Sequence, residues 1–155
     1  QFPDATQQVT AAKVRGLFSA KPAVVQQFPP NTTNDSKINL GTENVDSEGW
    51  FSASRYTPQI AGWYQISGCI WYSGSVGIKS AHALLMKNGT EMITGQFLGW
   101  LTVGNSGQIV SFSGLVYLNG TTDYVELWGS ANSTATVEVL TDTTNFGGYL
   151  LKADQ

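Results

Sequence analysis

GWYQISGCI at residues 62–70, GQIVSFSGLVYLNGTTDYVELW at 107–128 and NFGGYLL at 145–151 are the stretches that decide the fold. In the first, Tyr64, Ile66 and Ile70 fall on one face of an extended chain and Gln65, Ser67 and Cys69 on the other, because successive side chains of a strand point to opposite faces. The third is apolar on both faces, with Phe146 and Leu150 on one and Tyr149 and Leu151 on the other. A strand apolar on both sides needs cover on both sides, so this one has to meet something besides its own core. Short runs rich in Val, Ile, Thr and aromatics recur along the chain, Gly and Asn-Gly separate them, and helical periodicity is almost absent; the reading is all-β.

Working outward, strands are expected near residues 60–72, 80–87, 90–98, 108–118, 123–129 and 145–151. Earlier strands are expected at 14–20 and around 38–45, and a short one at 136–140. Asn88-Gly89 marks a two-residue type I′ hairpin, which needs positive φ at both positions, and Asn119-Gly120 marks a slightly longer turn. Residues 26–37 (QQFPPNTTNDSK) read as a Pro- and Asn-rich loop, and 46–49 as a turn. Residues 1–12 read as a connector and 13–155 as one domain. If the strands from residue 60 onward alternate in direction, the two tight turns share one end with the C-terminus. The longer loops 73–79, 99–107 and 130–144 then share the other.

Composition narrows the function. Charged residues are 12% of the 155, about half the typical ~25% share, so the polar surface is built from Ser, Thr, Asn, Gln and Gly. Such a surface suits polyhydroxylated partners. A net charge of -3 with no basic run argues against nucleic acid, whose phosphates demand Lys and Arg. One cysteine, Cys69, and one histidine, His82, supply neither a disulfide framework nor a structural zinc site, and no acidic loop has calcium spacing, so no cofactor or metal is expected. No apolar run approaches the ~20 residues that cross a bilayer, and membrane insertion is not expected. Beginning at Gln1, the chain reads as a piece of something longer.

Little in the sequence speaks for catalysis. No Gly-x-Ser-x-Gly elbow or His-Glu-x-x-His motif is present, and His82 reads as a strand or loop-edge residue satisfied by hydrogen bonds. The acid pairs Asp46 with Glu48 and Asp123 with Glu126 sit in turn or strand contexts that explain them. Sequons at Asn31, Asn34, Asn88, Asn119 and Asn132 read as turn chemistry. The five tryptophans, 50, 63, 71, 100 and 128, are the best functional hint, because an indole face stacks on the C–H patches of a sugar while Asn, Gln and Ser read its hydroxyls. Trp50 and Trp63 read as packing residues. Trp100, beside Gly99 in a long loop, reads as a ligand contact or a loop anchor, and Trp71 and Trp128 end strands next to the other long loops.

The three opening segments, in this order and spacing, resemble the signature strands of the C1q/tumour-necrosis-factor jelly roll over roughly residues 14–151. RYTPQIAGWYQISG, the KNGT turn and LVYLNGTTDYVEL are most similar to the C-terminal heads of bacteriophage tail fibres and tailspikes. The family's Gly-Asp turn is replaced here by Gly120-Thr121-Thr122-Asp123, and no collagen-like Gly-X-Y stretch precedes the domain. The resemblance implies an all-β, two-sheet antiparallel jelly-roll sandwich that assembles as a homotrimer, with Gln65, Ser67, Tyr149 and Leu151 at the subunit contact. It also implies a virion tail location, an upstream fibre shaft at the end of the tight turns, and recognition loops at the apex. Binding of a bacterial surface polysaccharide or other glycan without chemistry is then expected, through Trp71, Tyr72, Trp100, Asn105, Trp128 and Asn132. Two alternatives stay open: a trimerising cap for a fibre that recognises or depolymerises elsewhere, and a secreted C1q-like lectin.

Overall fold

A computed structural model describes residues 14–74, 77–99 and 107–154. Among the described residues, thirteen strands build two antiparallel sheets: β1 Phe18–Lys21, β2 Gln26–Phe28, β3 Ser36–Lys37, β4 Thr42–Asp46, β5 Phe51–Ser52, β6 Arg55–Tyr56, β7 Ala61–Ser73, β8 Ile78–Lys87, β9 Thr90–Leu98, β10 Gln108–Asn119, β11 Val125–Ser133, β12 Val137–Val139 and β13 Asn145–Ala153. In sheet A, β7 is central. It pairs with β10 along one edge, and on the other with β13 and then, past Cys69, with β12. β1 and β4 continue beyond β13, and β2 beyond β12. Sheet B has the order β5-β6-β11-β8-β9, with β3 also on β11.

Alternation fills the space between the sheets. β7 contributes Tyr64, Ile66, Ile70 and Tyr72, β10 contributes Val110, Phe112, Val116 and Leu118, and β13 contributes Phe146; sheet B answers with Ala81, Ala83, Leu85, Val125, Leu127 and Ala131, all buried. Phe18 stacks on Tyr56 with ring centroids 4.0 Å apart and meets Phe146 edge-on at 5.2 Å. The buried tyrosines keep their hydroxyls paired: Tyr56 donates to the Gly16 carbonyl (2.8 Å) and Tyr64 to that of Ile60 (2.8 Å). Burial pushes the Tyr64 phenol up to about 12 and that of Tyr56 further still. One flank of the sandwich closes where β9 passes β10: a Cβ at Gly95 would fall against the Ser111 carbonyl oxygen.

The strands expected from residue 60 onward stand where alternation put them, within four residues at their ends. The first strand begins later than expected, at Phe18, and the stretch around 38–45 is extended as a strand only from Thr42. Two features were not legible. β2 lies inside the stretch expected to be all loop, held on the edge of β12. The β5–β6 hairpin turns through Ala53 and Ser54 at positive φ, and the Ser54 hydroxyl accepting from the Leu40 amide at 2.7 Å ties that turn down. At Asn88-Gly89 both φ values are positive, as a type I′ turn requires. This turn and the next one sit side by side, because the Asn88 amide donates to the Tyr124 carbonyl. Asp154 closes on Ala61 at the same end, and Arg15 meets Leu150 nearby. The C-terminal ends of β7, β9 and β11 lie at the opposite end.

Candidate functional site

What the core does not use is displayed on two outer faces. On sheet A the cross-strand rows are Tyr117–Trp63–Lys152, Leu115–Gln65–Tyr149, Ser113–Ser67–Gly147, Ser111–Cys69–Asn145 and Ile109–Trp71. A bulge between Leu150 and Lys152 leaves Leu151 exposed, and Val45 joins the face opposite Ser19. Val45, Trp63, Ile109, Leu115, Tyr149 and Leu151 are between 37% and 55% exposed, and they are six of the eleven large hydrophobics exposed among the described residues. Trp63 meets Tyr117 edge-on at 5.8 Å. The strip is apolar at both ends and small and polar between, where Gln65 donates to the Ser113 hydroxyl at 2.8 Å. Gln65, Ser67, Tyr149 and Leu151 therefore share one surface.

Cys69 lies in the middle of that strip, half-buried, with its thiol 3.0 Å from the Thr143 carbonyl and its sulfur accepting from the Asn145 amide at 3.2 Å. Burial pushes the thiol up, more than the backbone N–H of Asn145 draws it down. A thiol held protonated in this way is a poor nucleophile.

On sheet B, Glu126, Trp128, Ser130 and Asn132 alternate outward along β11. Glu126 is 3% exposed and held from three sides: by the Lys37 ammonium and the Arg55 guanidinium, each at 3.0 Å, and by the Trp128 indole N–H at 2.9 Å. Burial alone would raise its carboxyl; the three hydrogen bonds and the Lys37 charge outweigh burial and hold it below the ordinary carboxylate range. Arg55 lies 3.7 Å above the Tyr124 ring, closing the clamp.

Next to the clamp runs a chain of polar side chains across the strands. Ser130 donates to Asp35 Oδ1 at 2.7 Å, His82 Nδ1 lies 3.4 Å from the same hydroxyl oxygen, and Gln96 Nε2 lies 2.9 Å from His82 Nε2. A hydroxyl has one proton to give. Because Ser130 gives it to Asp35, His82 bonds the serine oxygen through an Nδ1–H and accepts from Gln96 at Nε2. Serine in the middle, bonded to the carboxylate, is the wrong order for a nucleophile activated by imidazole, and Ser130 is buried besides. His82 is thus a strand residue with both ring nitrogens in hydrogen bonds.

The acid pairs are likewise engaged. Asp46 accepts from the Gly49 and Phe51 amides, Glu48 faces Arg15 at 3.9 Å, and Asp123 is bound by Lys87 at 2.9 Å and by Asn88 at 2.7 Å. Neither pair converges on a common point with free oxygens, which paired-carboxylate chemistry requires.

The six expected ligand contacts do not form one group. Trp128 and Asn132 share the outer face of sheet B, flanking Ser130. Trp71 belongs to the outer face of sheet A, opposite Ile109. Tyr72 is corrected: it is fully buried, its hydroxyl donates to the His82 carbonyl at 2.6 Å, and its ring meets Phe28 edge-on, so it is a core residue. Alternation from Tyr64 already places it on the core face. Trp100 and Asn105 lie outside the described residues. Asp35, His82, Gln96 and Ser130 were missed as a group because the sequence gives each strand's faces but not which strands are neighbours.

No protein-family model matches the chain, and no curated protein matches it. Solved structures do. Eiger TNF from S. frugiperda superposes with a TM-score of 0.66 at 8% identity, over 92% of this chain and 96% of that one. Murine APRIL at pH 5.0 superposes with a TM-score of 0.63 at 9% identity, over 87% of this chain and 98% of that one. The fold is a tumour-necrosis-factor-like jelly roll. At such identity the likeness extends to the architecture, and the residues on the two outer faces are this chain's own.

Proposed function

We propose that this tumour-necrosis-factor-like jelly roll is the homotrimeric head of a bacteriophage tail fibre or tailspike, which attaches to a host-surface glycan by binding alone. The observation that carries the reading is the outer face of sheet A, where half-exposed Trp63, Ile109, Leu115, Tyr149 and Leu151 give a single chain more apolar surface on one side than a solitary domain needs. Two further copies would cover it. Support for the tail location comes from the wording of residues 55–68, 87–90 and 115–127, and support for a glycan from a surface with few charges and many amide and hydroxyl groups. A shaft joined through the N-terminal connector would enter at the end where Arg15 meets Leu150, opposite the C-terminal ends of β7, β9 and β11.

Binding of the isolated head to host cells and to a glycan array tests the reading. Trp100→Ala is expected to weaken binding by about 1 kcal/mol or more per site with the melting temperature unchanged. The outer face of sheet A would serve a trimerising cap equally well. A stable trimer that binds neither cells nor glycans would decide for the cap.

A further inference from the structure

The geometry points to a sugar subsite on the outer face of sheet B: the strip between Trp128 and Asn132, floored by the Asp35–Ser130–His82–Gln96 chain, binds one uncharged hexopyranose unit. The inference rests on the glycan-recognition reading and places a contact on the strands of sheet B, on the flank of the head.

Three features make the strip a site. Its polar groups are oriented before any ligand arrives, since each member of the chain fixes the next, and preorientation removes part of the ordering cost of binding. Hydrogen-bonding capacity remains on the solvent side: the second Asp35 oxygen, the Gln96 side-chain oxygen and the whole Asn132 amide have no partner among the described residues. These are mostly acceptors, which suits a ring of hydroxyl donors. Finally, an apolar platform adjoins them. Leu84 faces outward between Trp128 and Thr94 yet is 1% exposed, which requires a large neighbour over it, and Trp128 is the large side chain directly opposite. The bond from the Trp128 indole to Glu126 prevents the ring from swinging away.

Spacing and charge set the ligand class. Trp128, Ser130 and Asn132 follow one another at about 6.7 Å along β11, so one pyranose ring can lie on the indole and still reach the polar row. Lys37 is drawn to Glu126, and the carboxylate of Asp35 stands exposed at the rim. A uronate or other acidic sugar would meet that carboxylate while Lys37 is held by Glu126, whereas a neutral or N-acetylated hexose would not.

Nuclear magnetic resonance of the isotope-labelled full chain tests this, with methyl α-D-glucopyranoside, methyl β-D-galactopyranoside, N-acetyl-D-glucosamine and sodium D-glucuronate as probes. At least one neutral sugar should shift the Trp128 indole N–H together with the Gln96 and Asn132 side-chain amides. Gln96→Ala, on an exposed edge-strand position, should weaken that sugar about tenfold with the rest of the spectrum unchanged, and His82→Ala should do the same. Glucuronate should bind more weakly than the neutral sugars and gain from Asp35→Asn. Shifts confined to the loops after β7 and β9, or an unaltered affinity in Gln96→Ala, would overturn the subsite and leave apex recognition standing. Absence of shifts with every probe would overturn it too. An unmutated head that binds no cells and no glycans would instead remove the recognition reading itself.

Discussion

Replacing Leu115 and Leu151 together by aspartate asks whether the outer face of sheet A is a contact between copies. Complete burial of a leucine side chain is worth about 1.5–3 kcal/mol, and each of these two is about half exposed in the single chain, at 51% and 55%. Covering what remains yields ~1 kcal/mol per side chain, hence ~3 kcal/mol per position when three copies assemble. Losing that much at one position lowers the assembly constant about a hundredfold, and two positions lose about twice the free energy. The new carboxylates act in the same direction, because a charge forced into a dry contact costs several kcal/mol unless paired. Both leucines are exposed, so the domain itself should tolerate the change within about 0.5 kcal/mol. Sedimentation velocity should therefore report trimer for the unmutated chain and monomer for the variant, with the far-ultraviolet dichroism of both showing the same β content. A monomeric unmutated chain would refute the reasoning, as would a variant that still sediments as a trimer.

Other outcomes are expected. Glu126 and Asp123 are both held below the ordinary carboxylate range; for each, burial raises the carboxyl and is outweighed by hydrogen bonds, from Trp128, Lys37 and Arg55 to the first and from Lys87, Asn88 and Asn119 to the second. Their contribution is present above the unfolded values of about 4.3 and 3.9 and is lost as pH falls through the lower folded values. Melting temperature should fall below pH ~4, and less steeply in Glu126→Gln; equal slopes would show that the clamp is not the cause. Tyr72→Phe should cost about 1 kcal/mol in urea unfolding, since it removes the hydrogen bond of a fully buried hydroxyl to the His82 carbonyl, and should leave sugar affinity alone. Lost affinity at full stability would return Tyr72 to the ligand set. Cys69→Ser should leave cell binding intact and lower stability modestly, and a folded variant that no longer binds would give the thiol a role it is denied here.

The legible part of the fold is the part governed by alternation. From Tyr64, Ile66 and Ile70 the core face of β7 follows residue by residue, and with it the outward placement of Gln65, Ser67 and Cys69. Asn88-Gly89 announces its turn because few other pairs accept two positive φ values. β2 and the β5–β6 hairpin were hidden for a common reason: they are two or three residues long and are strands only because β12 and β11 offer them an edge. The candidate site was half legible. Trp128 and Asn132 share a face by spacing alone, but Asp35, His82, Gln96 and Ser130 are scattered between positions 35 and 130, and only the order of strands in sheet B joins them.

The two outer faces also constrain one another. Stacked sheets lie about 10 Å apart with their outer faces turned in opposite directions, so a chain that associates through sheet A turns sheet B away from its partners. The division of residues follows that geometry: exposed hydrophobics collect on sheet A, whereas the outer face of sheet B carries the Asp35–Ser130–His82–Gln96 chain, whose hydrogen-bonding groups are useful only if they stay accessible. In a trimer held through sheet A, three copies of the strip would face outward at fixed separations. A polysaccharide presents the same unit repeatedly, so occupation of one strip raises the effective concentration of ligand at the next, and three weak contacts act as one strong one. Each strip can then be shallow. Disrupting the contact by Leu115→Asp and Leu151→Asp should consequently reduce binding to polysaccharide far more than binding to a single methyl glycoside, which senses one strip at a time. An equal loss for both ligands would mean that the strip depends on the assembled trimer for its shape.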